Sequence, residues 1–332
     1  MHKAAGKPSK EPWREPVRGG HPTAALSARP GRDLLDALLA EAVPQPPLSR
    51  LTGMRLVEYG PGTATFRLPL SGWLRAADGA IPLGPLTIPA DAAMACAVIA
   101  GMPEATAVTT SELALRQVRP APPGGVLLAR ATVLEPGPPI GLADVSLTDE
   151  TGVLIAHGSS LLVVLPFTAA PAGDDAQERD ADQRHAGGRD VGLDPWERPA
   201  PAATAGRPSP LQRLTGLRAV AVAHGEATLA LPTTPWLCAP PPGRVQGGAV
   251  ATLAEAAMTA AIRGASPGAG HFTPIELKLN YLRPLPSDGR EARAHARVIH
   301  AGRRIAVAGA DVVDADGRPI AVASGSALST RG

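Results

Sequence analysis

Residues 246–258 read QGGAVATLAEAAM, a diglycine followed by a nearly unbroken run of small and apolar residues. The run is apolar almost all round a helix, so the sequence predicts a helix buried against a sheet. Glu255 is the single ionisable residue of this run. A lone acid on a buried helix is unusual, and Glu255 is therefore a candidate functional residue.

A similar run occurs earlier in the chain. The sequence PADAAMACAVIAG at 89–101 carries Asp91, which lies 164 residues before Glu255. At the same offset, TTSELALRQVRP (109–120) is followed by TPIELKLNYLRP (273–284). Ordered matches at a constant offset indicate an internal duplication. An acid retained at the same place in both copies strengthens the functional interpretation of both acids.

The segments outside the two copies are rich in proline and glycine and have no hydrophobic periodicity. Such segments are typical of disordered chain, because they offer little apolar surface for burial. The predicted organisation is a disordered tail at 1–30, a first domain at 31–167, a disordered linker at 168–208 and a second domain at 209–330.

Within each copy, apolar alternation predicts a strand pair, then one helix, then four strands. The helices are expected at about 86–101 and 246–263. Pro85 and Pro89 fall where the first helix should start, so that helix is expected to begin later than its counterpart. The predicted fold class is α+β, with two units that each wrap an antiparallel sheet around one long helix.

Composition excludes several classes of protein. The 332 residues carry a formal net charge of +2, which is too small for a general nucleic-acid binder. No secretory signal or membrane-length apolar run is visible, so a cytoplasmic protein without membrane partners is expected. Cys96 and Cys238 lack metal-ligand spacing and are expected to be free thiols, and no metal or separate cofactor is predicted.

Three segments together resemble the hot-dog fold thioesterases of the phenylacetyl-CoA thioesterase (PaaI) type. They are QGGAVATLAEAAM, ELKLNYLRP (276–284) and residues 296–325. This resemblance implies hydrolysis of acyl-CoA thioesters, with coenzyme A as part of the substrate. It implies that the acid, Glu255 or Asp91, activates water or attacks the thioester. It also implies that the N–H of Gly247 polarises the thioester carbonyl.

The chain departs from the family pattern before each helix. Gln246 stands where the family usually has histidine, and the first copy has Pro82-Leu83-Gly84 in place of a diglycine. Hydratases and dehydratases of this fold commonly pair a histidine with the acid, so Gln246 counts against that chemistry. The altered turn at Pro82 leaves open a third class, a non-catalytic acyl-CoA binding or regulatory module.

The distance along one helix decides how the candidate residues combine. Gly247 and Glu255 are eight residues apart, or about 12 Å along a helix, whereas reacting groups must lie about 3 to 3.5 Å apart. The acid of one half must therefore meet the helix start of the other half, as an intramolecular pseudo-dimer allows.

Two unequal sites follow from this pairing. The main pair is expected to be Asp91 with Gly247 and Gly248, assisted by Gln246. The second site combines Glu255 and Thr259 with Gly84. Arg283, Arg303 and Arg304 are candidates to bind the phosphates of coenzyme A, and the simpler alternative is that they are solvated residues at strand ends. Further assembly into a homo-oligomer is left open by the sequence.

Overall fold

The computed structural model describes residues 10–167, 193–204, 206–265 and 272–329. Two long helices dominate these ranges, and none of the described helices is long and apolar enough to cross a membrane. The α-helices are α1 (Ala24–Ser27), α2 (Gly31–Leu39), α3 (Pro47–Thr52), α4 (Leu83–Ile99), α5 (Pro210–Thr215) and α6 (Gly247–Ala265). Short 3-10 helices span Pro12–Arg14, Gly72–Leu74, Pro195–Glu197 and Pro235–Leu237.

The described strands form one 12-stranded antiparallel sheet. They are β1 (Arg55–Gly60), β2 (Thr63–Pro69), β3 (Thr106–Gln117), β4 (Val126–Glu135), β5 (Ile140–Asp149), β6 (Leu154–Pro166), β7 (Arg218–Ala223), β8 (Glu226–Pro232), β9 (Phe272–Tyr281), β10 (Glu291–Ala301), β11 (Ile305–Val313) and β12 (Pro319–Ser329). Their order in the sheet is β1-β2-β4-β5-β6-β3-β9-β12-β11-β10-β8-β7. The fold class is thus α+β, with a large antiparallel sheet and few helices.

The middle of the sheet is the junction of β3 with β9. Read outward from this junction, one half of the sheet runs β3-β6-β5-β4-β2-β1 and the other half runs β9-β12-β11-β10-β8-β7. The two halves therefore have the same strand topology. Ala114 of β3 lies opposite Lys278 of β9, and these two residues occupy matching places in the two copies, 164 positions apart. The junction is therefore symmetric about two residues that match in the sequence repeat.

The strands at this junction alternate between a buried and an exposed face. Leu277 and Leu279 are fully buried toward the helices, whereas Lys278 and Asn280 are exposed. This is the alternation of a sheet with one covered face. The core beneath it is built mainly from alanine, valine and leucine, as expected of a chain with only 3% aromatic residues.

α4 and α6 cross with their backbones in direct contact. A methyl group placed on Gly84 would lie 2.8 Å from Cα of Thr252, and one on Gly248 would lie 2.6 Å from Cα of Ile88. Both distances are too short for a real side chain, so glycine at each position is what lets the helices approach. The start of each helix is thereby brought against the middle of the other.

The later start expected for the first long helix is wrong. α4 begins at Leu83, and both Pro85 and Pro89 lie inside it. Pro85 falls in the first turn, where the N–H that proline lacks has no partner within the helix. Proline in the first turn therefore does not delay the start of α4.

The expected disorder at 1–30 and 168–208 is wrong for the described parts of both segments. Pro12–Arg14 and Pro195–Glu197 form short helices within the similar sequences EPWREP (11–16) and DPWERP (194–199). We call residues 10–18 the first arm and 193–200 the second arm. Residues 1–9, 168–192 and 205 lie outside the described ranges.

Each arm packs its tryptophan on a glycine that ends a helix. Trp196 covers Gly53, the residue after α3, and Trp13 covers Gly216, the residue after α5. Both glycines have a positive φ of about 80°, a backbone conformation that favours glycine. The first arm thus packs on the second half of the chain, and the second arm packs on the first half.

Hydrogen bonds and ion pairs fix the arms in place. The indole N–H of Trp236 donates to the Glu15 carbonyl at 3.0 Å, and that of Trp73 donates to the Arg198 carbonyl at 2.9 Å. Arg198 also forms two hydrogen bonds, of 2.6 and 2.9 Å, to the carboxylate of Glu15. The arms are held by tryptophan rings packed on glycines and by ion pairs, and they have no periodic apolar face. Composition alone therefore predicts disorder in these segments.

Removal of an arm tryptophan should destabilise the whole fold. Trp196→Ala is expected to lower the free energy of unfolding by about 2 to 4 kcal/mol, because it uncovers Gly53 and empties a large packed volume. Urea unfolding monitored by circular dichroism measures this loss. Leu193→Ala is the control, since that side chain lies in the same arm but is 57% exposed. Equal stability of the Trp196→Ala variant and the parent would contradict a structural role of the arm.

Candidate active site

Asp91 lies in the middle of α4, beside the start of α6. Its carboxylate is only 6% exposed and accepts hydrogen bonds from both halves of the chain. Thr110 Oγ1 of β3 donates to Oδ1 at 2.7 Å, and Gln246 Nε2 donates to Oδ2 at 2.7 Å. The backbone N–H of Gly248 also faces this carboxylate and lowers its pKa. The start of α6 therefore meets the acid of α4.

Gln246 immediately precedes α6 and is fixed through its amide nitrogen. Besides Asp91, Nε2 donates to the Ile88 carbonyl at 3.2 Å. The amide oxygen Oε1 is buried and receives no hydrogen bond from the described residues. A buried acceptor left without a donor costs about 1 to 3 kcal/mol. An O–H group of water or of a ligand beside Asp91 would remove that penalty.

Gly247 is enclosed between two polar side chains. A methyl group at this position would lie 2.9 Å from Asp91 Oδ2 and 3.2 Å from the Tyr281 hydroxyl oxygen. Glycine is therefore needed for this close approach. Among the residues with described positions, no acceptor receives the Gly247 N–H. As an unused donor at a helix N-terminus, it can stabilise negative charge on a nearby oxygen.

Burial controls the ionisation of Asp91. Loss of water raises its pKa from 3.8 to about 6, although the hydrogen bonds from Thr110 and Gly248 lower the pKa in part. Asp91 is therefore a carboxylate at neutral pH but a stronger base than an exposed aspartate. A base whose pKa lies near the working pH is well suited to proton transfer.

Glu255 occupies the matching place on α6, against the start of α4. Thr259 Oγ1 donates to its Oε1 at 2.8 Å, and Gly84 lies against its carboxylate. Glu255 is 4% exposed, and burial raises its pKa from 4.5 to about 7. An ion pair of 2.7 Å between Arg263 and Asp78 lies nearby and acts on this pKa.

The two acids thus have different surroundings. At the repeat positions matching Gln246, Thr110 and Tyr281, the Glu255 site has Pro82, Pro274 and Gln117. Neither proline has a side-chain or backbone donor to offer. The structure brings Asp91 together with Gly247, Gly248 and Gln246, and it brings Glu255 together with Gly84 and Thr259. The chemical roles of these residues stay predictions.

The three candidate phosphate-binding arginines do not come together. Arg283 lies two residues beyond the end of β9 and donates to the Pro319 carbonyl at 2.9 Å. Arg303 and Arg304 lie in the turn after β10. The Arg304 carbonyl accepts a hydrogen bond from the N–H of Ser329, which pairs with Phe272 at the start of β9. The length of β9, about 30 Å for its ten residues, separates them from Arg283. The three arginines therefore do not form one cluster, and their binding of coenzyme A phosphates stays a prediction.

The thiols and the possible metal ligands are the other groups to examine. Cys96 and Cys238 are both free, and burial raises the pKa of each thiol, that of Cys96 to about 12. In the described ranges, no three His, Cys, Asp or Glu side chains are grouped in a way that would hold a metal ion. The polar groups around Asp91 are therefore the ones to consider for catalysis.

Two residues of the Asp91 site, Thr110 and Tyr281, were not among the candidates predicted from the sequence. Both lie within the repeated motif at 109–120 and 273–284, so their position was visible but their role was not. The available signal was their loss in the other copy, where Pro274 matches Thr110 and Gln117 matches Tyr281. Polar residues that differ between otherwise similar copies mark the place where the two sites diverge.

The raised pKa of Glu255 predicts how stability depends on pH. A group with a raised pKa in the folded state stabilises the fold at low pH, and this contribution is lost as pH rises from about 4.5 through about 7. Glu255→Gln does not titrate, and its amide can still accept from Gly84 and donate to Thr259. The difference in unfolding free energy, variant minus parent, should therefore rise by about 2 to 3 kcal/mol between pH 5 and pH 8.

Urea unfolding of both proteins at pH 5 and pH 8 measures this difference. Glu58→Gln, which removes an exposed carboxylate, serves as the control and should show no such rise. A constant difference between the Glu255→Gln variant and the parent at the two pH values would show that Glu255 does not titrate with a raised pKa.

Comparison with known proteins agrees with this architecture. Residues 242–321 match the thioesterase superfamily. Among solved structures, acyl-CoA thioesterase II from Mycobacterium marinum is 11% identical, with 86% of this chain and 97% of that chain covered at a TM-score of 0.54. The tesB protein of Mycobacterium avium subspecies paratuberculosis is 12% identical, with 86% and 98% covered and a TM-score of 0.56.

A hot-dog fold protein from Alicyclobacillus acidocaldarius is also 12% identical, with 86% and 98% covered and a TM-score of 0.56. No curated protein sequence matches the chain. At these identities the structural likeness concerns the fold. The chain therefore has the hot-dog fold of the thioesterases, and its residues 242–321 match the thioesterase superfamily.

Proposed function

We propose that this protein hydrolyses acyl-CoA thioesters to a free acid and coenzyme A. The observation that carries this proposal is the buried carboxylate of Asp91, held at the start of α6 by Thr110 and Gln246. The unused N–H of Gly247 and the unpaired Oε1 of Gln246 lie at the same place. A base, a site for water and a donor for a developing oxyanion are thus close together.

The first step is the attack of water on the thioester carbon. Asp91 accepts one proton from this water, while Gln246 Oε1 accepts a hydrogen bond from its other O–H. The new C–O bond places negative charge on the former carbonyl oxygen, which the Gly247 N–H stabilises. Both carboxylate oxygens of Asp91 already accept hydrogen bonds, which favours its action as a base over its action as a nucleophile.

The second step is the loss of the thiol. When the tetrahedral intermediate collapses, the C–S bond breaks and coenzyme A leaves as a thiolate. A thiol has a pKa of about 8.5, so it is a good leaving group without full prior protonation. The proton held by Asp91 passes to the departing sulfur, directly or through solvent. The carboxylate is then ready for another cycle, and no metal or redox cofactor is required.

The Asp91 site is the main catalytic site in this proposal. The Glu255 site has no amide at the position of Gln246, and Leu83 and Gly84 replace the diglycine. Its carboxylate contacts Thr259 and Gly84 within the packed helix pair. We assign Glu255 a secondary role, in the packing of α6 against the start of α4.

The duplication and the pseudo-dimer are part of the same proposal. Shared element order in the two halves, the junction of β3 with β9 and the crossing of α4 with α6 support two hot-dog units, at 31–167 and 209–330, joined as a homodimer would be. The site proposed here requires both units, since Asp91 comes from one and Gly247 from the other.

The substrate is proposed to carry a coenzyme A moiety. Arg283 lies just beyond Tyr281 at the end of β9, on the side of the sheet where the Asp91 site is built, and is exposed. Of the three candidate arginines we assign this contact with phosphate to Arg283, since Arg303 and Arg304 lie at the other end of β9. A cytoplasmic location and the absence of nucleic-acid or membrane partners remain part of the expectation from sequence.

Release of free thiol from a panel of acyl-CoA substrates tests the activity, and a matched pair of variants tests the site. Asp91→Asn should lower kcat by at least about 100-fold, because it removes the base. Glu255→Gln makes the same chemical change at the other acid and should retain most of the turnover. The reverse pattern would place the active site at Glu255.

A binding titration on the same substrates separates the remaining classes. Binding without thiol release by the parent protein would favour the non-catalytic module. Addition or loss of water in the acyl chain, with the thioester left intact, would favour a hydratase or dehydratase. Either result would contradict the proposed hydrolysis.

A further inference from the structure

The peptide group between Gly247 and Gly248 has a polar partner at each end. Its carbonyl oxygen, that of Gly247, accepts from the Tyr281 hydroxyl at 2.8 Å. Its N–H, that of Gly248, faces the carboxylate of Asp91 and lowers the pKa of that group. Tyr281 of β9 and Asp91 of α4 are thus connected through a single peptide plane at the first turn of α6.

Tyr281 can act only as a donor to this peptide. Its side chain is half-buried and packs against the core. Burial, together with the charges of Asp91 and Glu112, raises the pKa of Tyr281 well above 10. The hydroxyl therefore keeps its proton at neutral pH. A donor to the carbonyl polarises the peptide and strengthens the hydrogen bond that its N–H makes.

The other half of the chain provides an internal comparison. Gln117 takes the place of Tyr281 in the repeat and lies at the end of β3. Among the described residues, the Gln117 side chain makes no hydrogen bond to the start of α4. The connection from sheet to helix start to acid is therefore a property of the Asp91 site and has no counterpart at the Glu255 site.

We propose that Tyr281 is a positioning residue for the Asp91 site, whose hydroxyl holds the Gly247–Gly248 peptide in the orientation that directs the Gly248 N–H at Asp91. The same orientation leaves the preceding N–H, that of Gly247, for the substrate oxygen. This inference rests on the proposed hydrolysis for its effect on turnover. Its effect on the ionisation of Asp91 does not depend on any activity.

Few other ionisable groups face Asp91 from the surrounding elements. Cys96 lies on α4 itself, and Tyr281 and Glu112 come from β9 and β3. Glu112 forms an ion pair of 3.3 Å with Lys278. Glu255 of α6 faces Gly84 at the other site. A change in the titration of Asp91 after a change at Tyr281 is thus attributable to the Tyr281 hydroxyl.

The consequence has a definite sign. The Gly248 N–H favours the charged form of Asp91 and so lowers its pKa. Loss of the Tyr281 hydroxyl weakens this donor and should raise the pKa of Asp91. The acidic limb of the kcat/KM profile, where activity rises as Asp91 loses its proton, should then move to higher pH. A purely structural role of Tyr281 would change stability or kcat but would leave the limb in place.

Tyr281→Phe tests this inference, with Tyr59→Phe as the matched control. These are the two tyrosines of the chain, and Tyr59 donates to Asp36 on the surface. Tyr281→Phe is expected to lower kcat by about two- to tenfold and to move the acidic limb upward by roughly 0.5 pH unit. Tyr59→Phe should change neither. Unfolding curves of both variants confirm that each is folded at the assay temperature.

A stronger donor at position 281 should have the opposite effect on the pKa of Asp91. It also provides a test that does not depend on the folding of the Tyr281→Phe variant. In the Tyr59→Phe background Tyr281 is the single tyrosine, so growth with 3-fluorotyrosine labels that position alone. Fluorine makes the phenol more acidic and a better donor, and the acidic limb should move to lower pH. An unchanged limb in both the fluorinated protein and the Phe variant would overturn the inference.

Carboxyl ¹³C NMR titration of Asp91, assigned with Asp91→Asn, separates this inference from the proposed function. If the parent protein hydrolyses no thioester but the pKa of Asp91 rises in Tyr281→Phe, the proposed function fails and the positioning role stands. If the parent is active and the pKa of Asp91 is the same with and without the hydroxyl, the positioning role fails and the proposed function stands.

Discussion

The direct contact between the backbones of α4 and α6 is the constraint on which the rest of the structure depends. It is possible because Gly84 and Gly248 carry no side chain where the helices cross. Each acid lies about two turns beyond the glycine of its own helix, so the crossing places it at the first turn of the other helix. Burial of the acids, their raised pKa values and the need for both halves at one site all follow from this crossing.

The two sites start from one geometry and differ in their donors. Asp91 is surrounded by a hydroxyl, an amide and a peptide N–H, whereas Glu255 faces a helix start that has gained prolines. A buried carboxylate without several donors is costly, since desolvation disfavours its charge. Burial raises the pKa of both acids, that of Asp91 to about 6 and that of Glu255 to about 7. The two acids occupy equivalent places but thus differ in the donors around them.

Much of the architecture could be predicted from the sequence, because apolar periodicity and the repeat both report on the buried faces. The pairing of Asp91 with the start of α6 was predicted from two points together. The resemblance implied that an acid and a helix-start N–H act on one carbonyl, and one helix cannot bring its own acid to its own first turn. Thr110 and Tyr281 could not be predicted, because the register of β3 and β9 against the helices decides which polar side chains face Asp91. The arms were missed because Trp13 and Trp196 are held by single glycines and by ion pairs, contacts that leave no periodic pattern.

The crossed arms have a consequence for the topology of the chain. The first arm is covalently part of one half but packs on the other, and the second arm does the reverse. A cut anywhere between residues 167 and 193 would therefore yield two fragments, each with its arm packed on the other fragment. Such fragments should recognise one another in preference to copies of themselves, because the ion pair of Glu15 with Arg198 forms only between unlike pieces. The exchange of arms thus favours the pairing of unlike halves of the chain.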